Sequence, residues 1–320
     1  MSDLPKSITI TEEGPREGFQ IEPGPISTAQ KIALIEALAE TGLEEIQIVS
    51  FVNPKRVPGM ADADSVVARL RRRPGVSYKA LWLNDQGFLR ALATGKLDLR
   101  AAISLSASAG FLARNQNRTP AEMLEAQRQS LELYRAHDVP VVQGLISAAF
   151  GCNFDGEIPV TTVVGIVDDM MKLTADYGIS LPLLNLADTM AWATPGSIRR
   201  VVGAVRARYP ALEIALHLHD TRGMGIANAY AGLEMGVRHF DAAIAGLGGC
   251  PFAEHKGAAG NVCTEDLAFM CAEMGIETGL DLDRLIACAR MAEEIVGHPL
   301  PGAVKQGGSL QRFRNGASHA

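Results

Sequence analysis

Apolar residues recur along this chain in two alternating rhythms. Short runs rich in β-branched and apolar residues stand between longer stretches in which apolar positions repeat every three or four residues, the signatures of strand and amphipathic helix. The short runs fall at residues 8–13, 45–50, 77–83, 100–106, 141–147, 181–186, 213–219 and 239–245. Helical patterns lie between them, among others at 28–41, 120–137, 161–177, 195–209 and 225–235. Ser27, Thr119 and Thr194 precede three of these, the last two with Pro next, as helix starts prefer. Gly42, Gly178 and Gly236 follow helices where a left-handed residue is wanted.

Strand–helix alternation predicts parallel strands joined by right-handed crossovers. Eight such units in about 250 residues is the size of a (β/α)8 TIM barrel, an α/β fold. The competing doubly wound open sheet would bring a Gly-rich nucleotide loop after its first strand, whereas Gly246-Leu247-Gly248-Gly249 follows the last predicted strand. The expected organisation is one barrel domain over residues 1–296 and a C-terminal extension over 297–320, partly flexible and frayed from Asn315 onward.

Composition narrows the classes. With 320 residues, 47% of them hydrophobic, the chain can bury a large core. A net charge of -6 favours no nucleic-acid partner, and no apolar run is long enough to cross a membrane. The single dense basic run, Arg71-Arg72-Arg73, sits at a predicted helix end, where cations offset the helix dipole. Residues 1–6 lack a signal-peptide pattern. The five cysteines, Cys152, Cys250, Cys263, Cys271 and Cys288, are odd in number and irregular in spacing. Both points lead us to expect a reducing, cytoplasmic location.

Function in a barrel collects where the strands end. The predicted ends are polar while the strand interiors are apolar. Strand one runs into Gly14-Pro15-Arg16-Glu17-Gly18; strand two holds Gln47; strand three ends in Asn84-Asp85; strand six ends in Asp188-Thr189. Strand seven closes with His217-Leu218-His219-Asp220, whose two imidazoles share one side because strand side chains alternate. They read either as a metal site or as hydrogen-bonded core histidines. Glu17, His217, His219 and Asn261 together make an oxygen–nitrogen ligand set without thiolate, suited to Mg2+ or Mn2+. Arg16 beside that carboxylate suits oxyanion stabilisation, or else a structural ion pair. Cys250, in a Gly-rich loop, suits proton transfer, or else packing as a small apolar residue.

At this point the motifs resemble a known family. Gly14-Pro15-Arg16-Glu17-Gly18-Phe19-Gln20 is similar to the "GPRDGLQ" signature of 3-hydroxy-3-methylglutaryl-CoA lyases, and Ser50-Phe51-Val52-Asn53-Pro54-Lys55 to their "SFVSPK". His217-Leu218-His219-Asp220-Thr221 resembles "HCHDT"; residues 245–252 resemble "AGLGGCPY"; residues 260–266 resemble "GNLATED". The resemblance implies a TIM-barrel acyl-CoA lyase and a divalent cation on Glu17, His217, His219 and Asn261. It implies retro-Claisen cleavage to a keto acid and an acyl-CoA such as acetyl-CoA. Arg16 would steady the enolate and Cys250 would support its protonation. Asp188 and Thr189 would line the site, and two copies would form a homodimer.

The departures concern substrate contacts. Glu17 stands for the family's Asp, Gln47 for a buried Glu, and Arg222 for a Tyr; residues 252–260 form a longer loop. Gln47, Asn84, Thr189 and Arg222 are the expected substrate-binding residues. Two other readings stay open: a condensing synthase of the isopropylmalate or homocitrate type, and a barrel that binds without catalysis. Arg114, Asn115, Asn117 and Arg118 after strand four offer charge and amides to CoA phosphates, or else form a solvated loop.

Overall fold

The computed structural model describes residues 4–248 and 260–314. Eight strands appear where the alternation predicts them: β1 Thr9–Glu12, β2 Glu45–Phe51, β3 Ser77–Trp82, β4 Ala101–Ser106, β5 Val141–Ser147, β6 Leu183–Ala187, β7 Glu213–His217 and β8 His239–Ala242. Every ladder is parallel, and the order β3-β2-β1-β8-β7-β6-β5-β4 follows the chain around a (β/α)8 barrel.

One seam is made differently. Among the described residues no ladder joins β3 to β4. The Asp98 amide there donates to Tyr78 O (2.9 Å), and the Tyr78 amide to Asp98 Oδ2 (2.8 Å). Trp82, Phe88 and Tyr134 fill the gap beside them, with Trp82 Nε1 donating to the Tyr134 hydroxyl at 2.9 Å. Edge groups that would otherwise face an open sheet are thus covered by aromatic packing.

The helices begin where their caps predict. Ser27 with Gln30, Thr119 with Glu122, and Thr194 with Ser197 form reciprocal caps on Thr28–Leu38, Pro120–Ala136 and Pro195–Arg208. Their apolar stripes meet the outward strand residues, so the core lies between sheet and helices. Ile46 and Ile48 are buried in it, while Glu45 and Gln47 alternate onto the inner face. Three strand ends differ from the expected bounds by two residues or more. β6 starts after Pro182, which has no amide to give the ladder. β7 stops at His217, because Leu218 and Asp220 bond instead to residues 260–262: Val262 N to Leu218 O (2.8 Å) and Asp220 N to Gly260 O (2.7 Å). β8 stops at Ala242, and Ala245 then takes a left-handed conformation (φ 57°) in a short 3-10 turn.

Arg71, Arg72 and Arg73 pair with Glu36, Asp98 and Glu40 just past the helix Ala63–Arg69. The helix Leu282–Val296 ends on left-handed Gly297. Beyond it, Asp266 accepts from the Ala303 and Val304 amides (2.9 and 2.7 Å), buried Lys305 pairs with Glu293 (2.5 Å), and Arg314 with Glu273 (2.6 Å). No described helix is long and apolar enough to cross a membrane.

Candidate metal centre

The site is built on an irregular turn. After β1 the chain forms a buried π-helical turn, Gly14–Gly18, a geometry frequent at functional sites. The fully buried carboxyl of Glu12 anchors it. Oε1 accepts from the Gly14 amide (2.7 Å) and the Ile244 amide (2.9 Å), and Oε2 pairs with the Thr264 hydroxyl (2.6 Å). A side chain at Gly14 would stand 2.6 Å from Glu12 Oε1, so only glycine fits. Burial pushes the Glu12 carboxyl up to about 7. The turn thereby delivers Arg16 and Glu17, both buried, to the rim.

His217 is the last residue of β7, and His219 lies beyond it in a bridge to Asn261. Their Nε2 atoms are 3.3 Å apart. His219 Nδ1 donates to the Thr189 carbonyl (2.8 Å), and His217 Nδ1 to Asp241 Oδ2 (3.1 Å). With Nδ1 of each ring turned to an oxygen acceptor, the neutral form of each imidazole presents Nε2 as its lone-pair atom toward the other. Glu17 faces the same point, with Oε1 3.0 Å from His219 Nε2 and Oε2 3.7 Å from His217 Nε2. Ligand atoms of Glu17, His217 and His219 all lie within 4.8 Å of one another.

Three lone-pair donors that converge in a buried space repel one another unless something positive sits between them. Burial opposes charge on His217, but the charge of Glu17 and the hydrogen bond to Asp241 outweigh it and hold the imidazole well above its usual value. Burial raises Glu17, but the charges of Arg16 and His217 outweigh it and hold the carboxyl well below its usual value. A proton and a divalent cation compete for such a site. Asn261 adds an amide: Nδ2 donates to Leu247 O (3.3 Å), and among the described residues Oδ1 is buried without a partner. A side chain at left-handed Gly248 would meet Asn261 Nδ2 at 2.6 Å and Glu17 Cγ at 3.1 Å, so that glycine lets the amide and the carboxylate lie side by side. The orphaned oxygen, the paired Nε2 atoms and the thiolate-free donor set fit a divalent cation.

Asp188 follows β6, next to the imidazoles. Oδ1 accepts from the Trp192 and Ala193 amides (2.7 and 2.9 Å), while Oδ2 is buried without a partner, and burial lifts the carboxyl to about 6. Thr189 places its carbonyl on His219, and its hydroxyl accepts from the Ala148 amide (2.8 Å). Gln47 has a buried Oε1 with no partner among the described residues. Two expected substrate residues are bonded to the backbone. Arg222 donates to the carbonyls of Met190 and Ala191 (3.0 Å each), fastening the turn after β6. Asn84 caps the helix Asp85–Ala93 through the Gly87 amide (2.9 Å). Cys250 and residues 252–259 lie outside the described residues. Arg114, from the CoA-facing expectation, stacks on Phe154 at 4.0 Å.

Sequence reasoning missed three polar residues under the cluster. Asp241 is the register partner of His217 and orients its ring, as carboxylates behind metal-binding histidines do. Asn185 donates to the same Asp241 oxygen at 2.6 Å. Glu13 pairs with Arg16. The available signal was a lone polar residue inside an apolar strand, in Leu183-Leu184-Asn185-Leu186 and Phe240-Asp241-Ala242.

A family model described as HMGL-like matches residues 7–292. The hydroxymethylglutaryl-CoA lyase YngG of Bacillus subtilis is 39% identical over 311 residues, 97% of this chain and 99% of that protein. The 3-hydroxy-3-isohexenylglutaryl-CoA/hydroxy-methylglutaryl-CoA lyase of Pseudomonas aeruginosa is 39% identical over 295 residues, 92% of this chain and 95% of that one. The crystal structure of the Bacillus subtilis HMG-CoA lyase superposes with a TM-score of 0.86 at 37% identity, covering 97% of this chain and 99% of that one. A structure of an HMG-CoA lyase from Acinetobacter baumannii in complex with coenzyme A and 3-methylmalate superposes with a TM-score of 0.87 at 35% identity, covering 100% and 99%.

Proposed function

The chain belongs to the HMGL-like family, and from that premise we propose that it is a metal-dependent carbon–carbon lyase that splits a 3-hydroxy-3-methylglutaryl-CoA-like thioester by retro-Claisen chemistry into a keto acid and an acyl-CoA such as acetyl-CoA. The observation that carries this reading is the convergence of Glu17 and both Nε2 atoms, with each Nδ1 already fixed by Thr189 or Asp241. Glu17, His217, His219 and Asn261 would hold the cation, Mg2+ or Mn2+. When bound, it supplies positive charge that acidifies the substrate's tertiary hydroxyl.

The chain's own groups account for the rest. Asp188 has one carboxylate oxygen committed to two amides and the other free, so the free oxygen takes the hydroxyl proton. The carbon–carbon bond then breaks, and its electron pair passes to the thioester enolate. Arg16 has an unpartnered, buried Nε–H and a permanent charge, which steady the enolate oxygen. Cys250 returns a proton to the enolate carbon, by resemblance to the family. Gln47, with its free amide oxygen, lines the acyl pocket and tunes which acyl group is accepted; a Gln47→Glu variant with unchanged activity and selectivity would remove that role. The same reading carries the CoA partner, a homodimer and a cytoplasmic location.

The test is turnover of a panel of hydroxyacyl-CoA thioesters, after chelation and after return of Mg2+ or Mn2+. We expect cleavage of at least one thioester that depends on the added metal. No cleavage with either metal sinks the reading.

A further inference from the structure

Arg16 is clasped from two sides. Its Nη1 lies 2.8 Å from Glu17 Oε2, its Nη2 is bonded to Glu13 Oε2, and its Nε is buried with no partner among the described residues. The two carboxylates differ in what else they face. Glu17 Oε1 is 3.0 Å from His219 Nε2, and the Oε2 that meets Arg16 is also 3.7 Å from His217 Nε2. Whatever positive charge the cluster holds competes with Arg16 for that oxygen. The Glu13 Oε2 that meets Arg16 also approaches a histidine, but on the side away from the two converging Nε2 atoms. Its approach to His217 is on the Nδ1 side, at 3.8 Å, where the ring is already bonded to Asp241 at 3.1 Å.

A guanidinium has rotational freedom to lose, and a buried one without a fixed anion is costly. With Glu17 alone, Arg16 would shift whenever Glu17 turned toward the cluster. With Glu13 on Nη2, the guanidinium keeps its plane and its Nε–H keeps its direction. Glu13 is itself only 5% exposed, so the pair is hardly screened by solvent.

We infer that Glu13 is a positioning residue that holds Arg16 with its Nε–H presented to the substrate's developing oxyanion, independently of Glu17; this rests on the lyase reading above. It does not touch the reacting atoms and acts only through Arg16.

Glu13→Gln keeps the shape and removes the charge, and it is measured alone and on an Arg16→Gln background. We expect kcat to fall about tenfold to a hundredfold, the range for a misplaced catalytic group, with KM within about threefold. On the Arg16→Gln background the same change should alter kcat less than about twofold, because the residue it positions is gone. Mn2+ titration by calorimetry should show binding retained in Glu13→Gln. The Arg16 side-chain 15N–H signal, assigned by its loss in Arg16→Gln, should be slow to exchange in the unaltered protein and broadened in Glu13→Gln. Unchanged kcat, additive losses on the Arg16→Gln background, lost Mn2+ binding, or an unchanged Arg16 signal would each overturn the inference. If the unaltered protein cleaves no thioester, the lyase reading fails and the Arg16 signal still decides whether Glu13 holds the guanidinium.

Discussion

At the N-terminal mouth of the barrel, Glu45 accepts from the Thr11 hydroxyl (3.0 Å), pairs with Lys79, and has Arg100 3.7 Å away. Every one of these charges has a neighbour of opposite sign. At the C-terminal rim, among the described residues, Arg16 Nε, Asp188 Oδ2 and Asn261 Oδ1 are buried without partners, whereas the atom left so at the N-terminal mouth is the neutral hydroxyl of Ser77, the register partner of Glu45. An unmet buried polar group costs about 1–3 kcal/mol. One mouth therefore supports the fold, while the other is held in a costly arrangement by the structure around it and is ready to meet a ligand. Substitutions at the two mouths should accordingly move different observables.

The largest effect is expected at the rim. His217→Ala should remove activation by Mg2+ or Mn2+ and lower turnover about a thousandfold, while the melting temperature in chelator stays within a few degrees. Retained metal activation would place the cation elsewhere.

Glu12 lies between the two regimes, buried but fully bonded. Its folded carboxyl sits at about 7 against an ordinary 4.5, because of burial, so the folded state holds its proton more tightly. Its contribution to stability is present in full below about pH 4.5 and is lost as pH rises through about 7; the shift corresponds to about 3 kcal/mol as an upper bound. Glu12→Gln mimics the protonated form, accepting two amides and donating to Thr264. Urea melts between pH 5 and 8 should show a flatter decline in the variant, and parallel curves would remove Glu12 from the balance.

Asp241→Asn tests the support beneath the rim. It leaves the ligands in place but weakens the hold on the His217 ring, so Mn2+ affinity should drop about tenfold to a hundredfold. Unchanged affinity in calorimetry would mean that the ring is fixed by packing alone.

The smallest effect belongs to the N-terminal mouth. Glu45 is partly exposed, so solvent screens its pairs, and Glu45→Gln should cost about 1 kcal/mol or less in urea melts with turnover unchanged. A loss of turnover comparable to that of His217→Ala would erase the distinction between the two mouths.

Much of this was legible in one dimension. All eight strands were, because a strand that packs helices outward must alternate, and the helix starts at Ser27, Thr119 and Thr194 were, because unpaired amides there need a side-chain acceptor. The pair His217-Leu218-His219 pointed to one shared site, although β7 ends at His217 and the second imidazole is placed by the bridge to Asn261. Asn84 and Arg222 show what strand ends leave out: one also caps a helix and the other also ties down a neighbouring turn. Local order does not announce such bonds, because a cap, a tie and a ligand contact need the same donors and acceptors.

The sequence by itself determined the barrel, the ring order of its strands and the kinds of atom that could hold a cation, since periodicity, caps and residue chemistry are local properties. Only the tertiary structure decided that Asp241 stands behind His217, that Glu13 and Glu17 share Arg16, and that one oxygen each of Asp188 and Asn261 goes unmatched. Those facts depend on contacts between residues as far apart as Glu17 and His219, 202 positions along the chain. Such contacts are fixed by the closure of the sheet and by the π-helical turn it anchors.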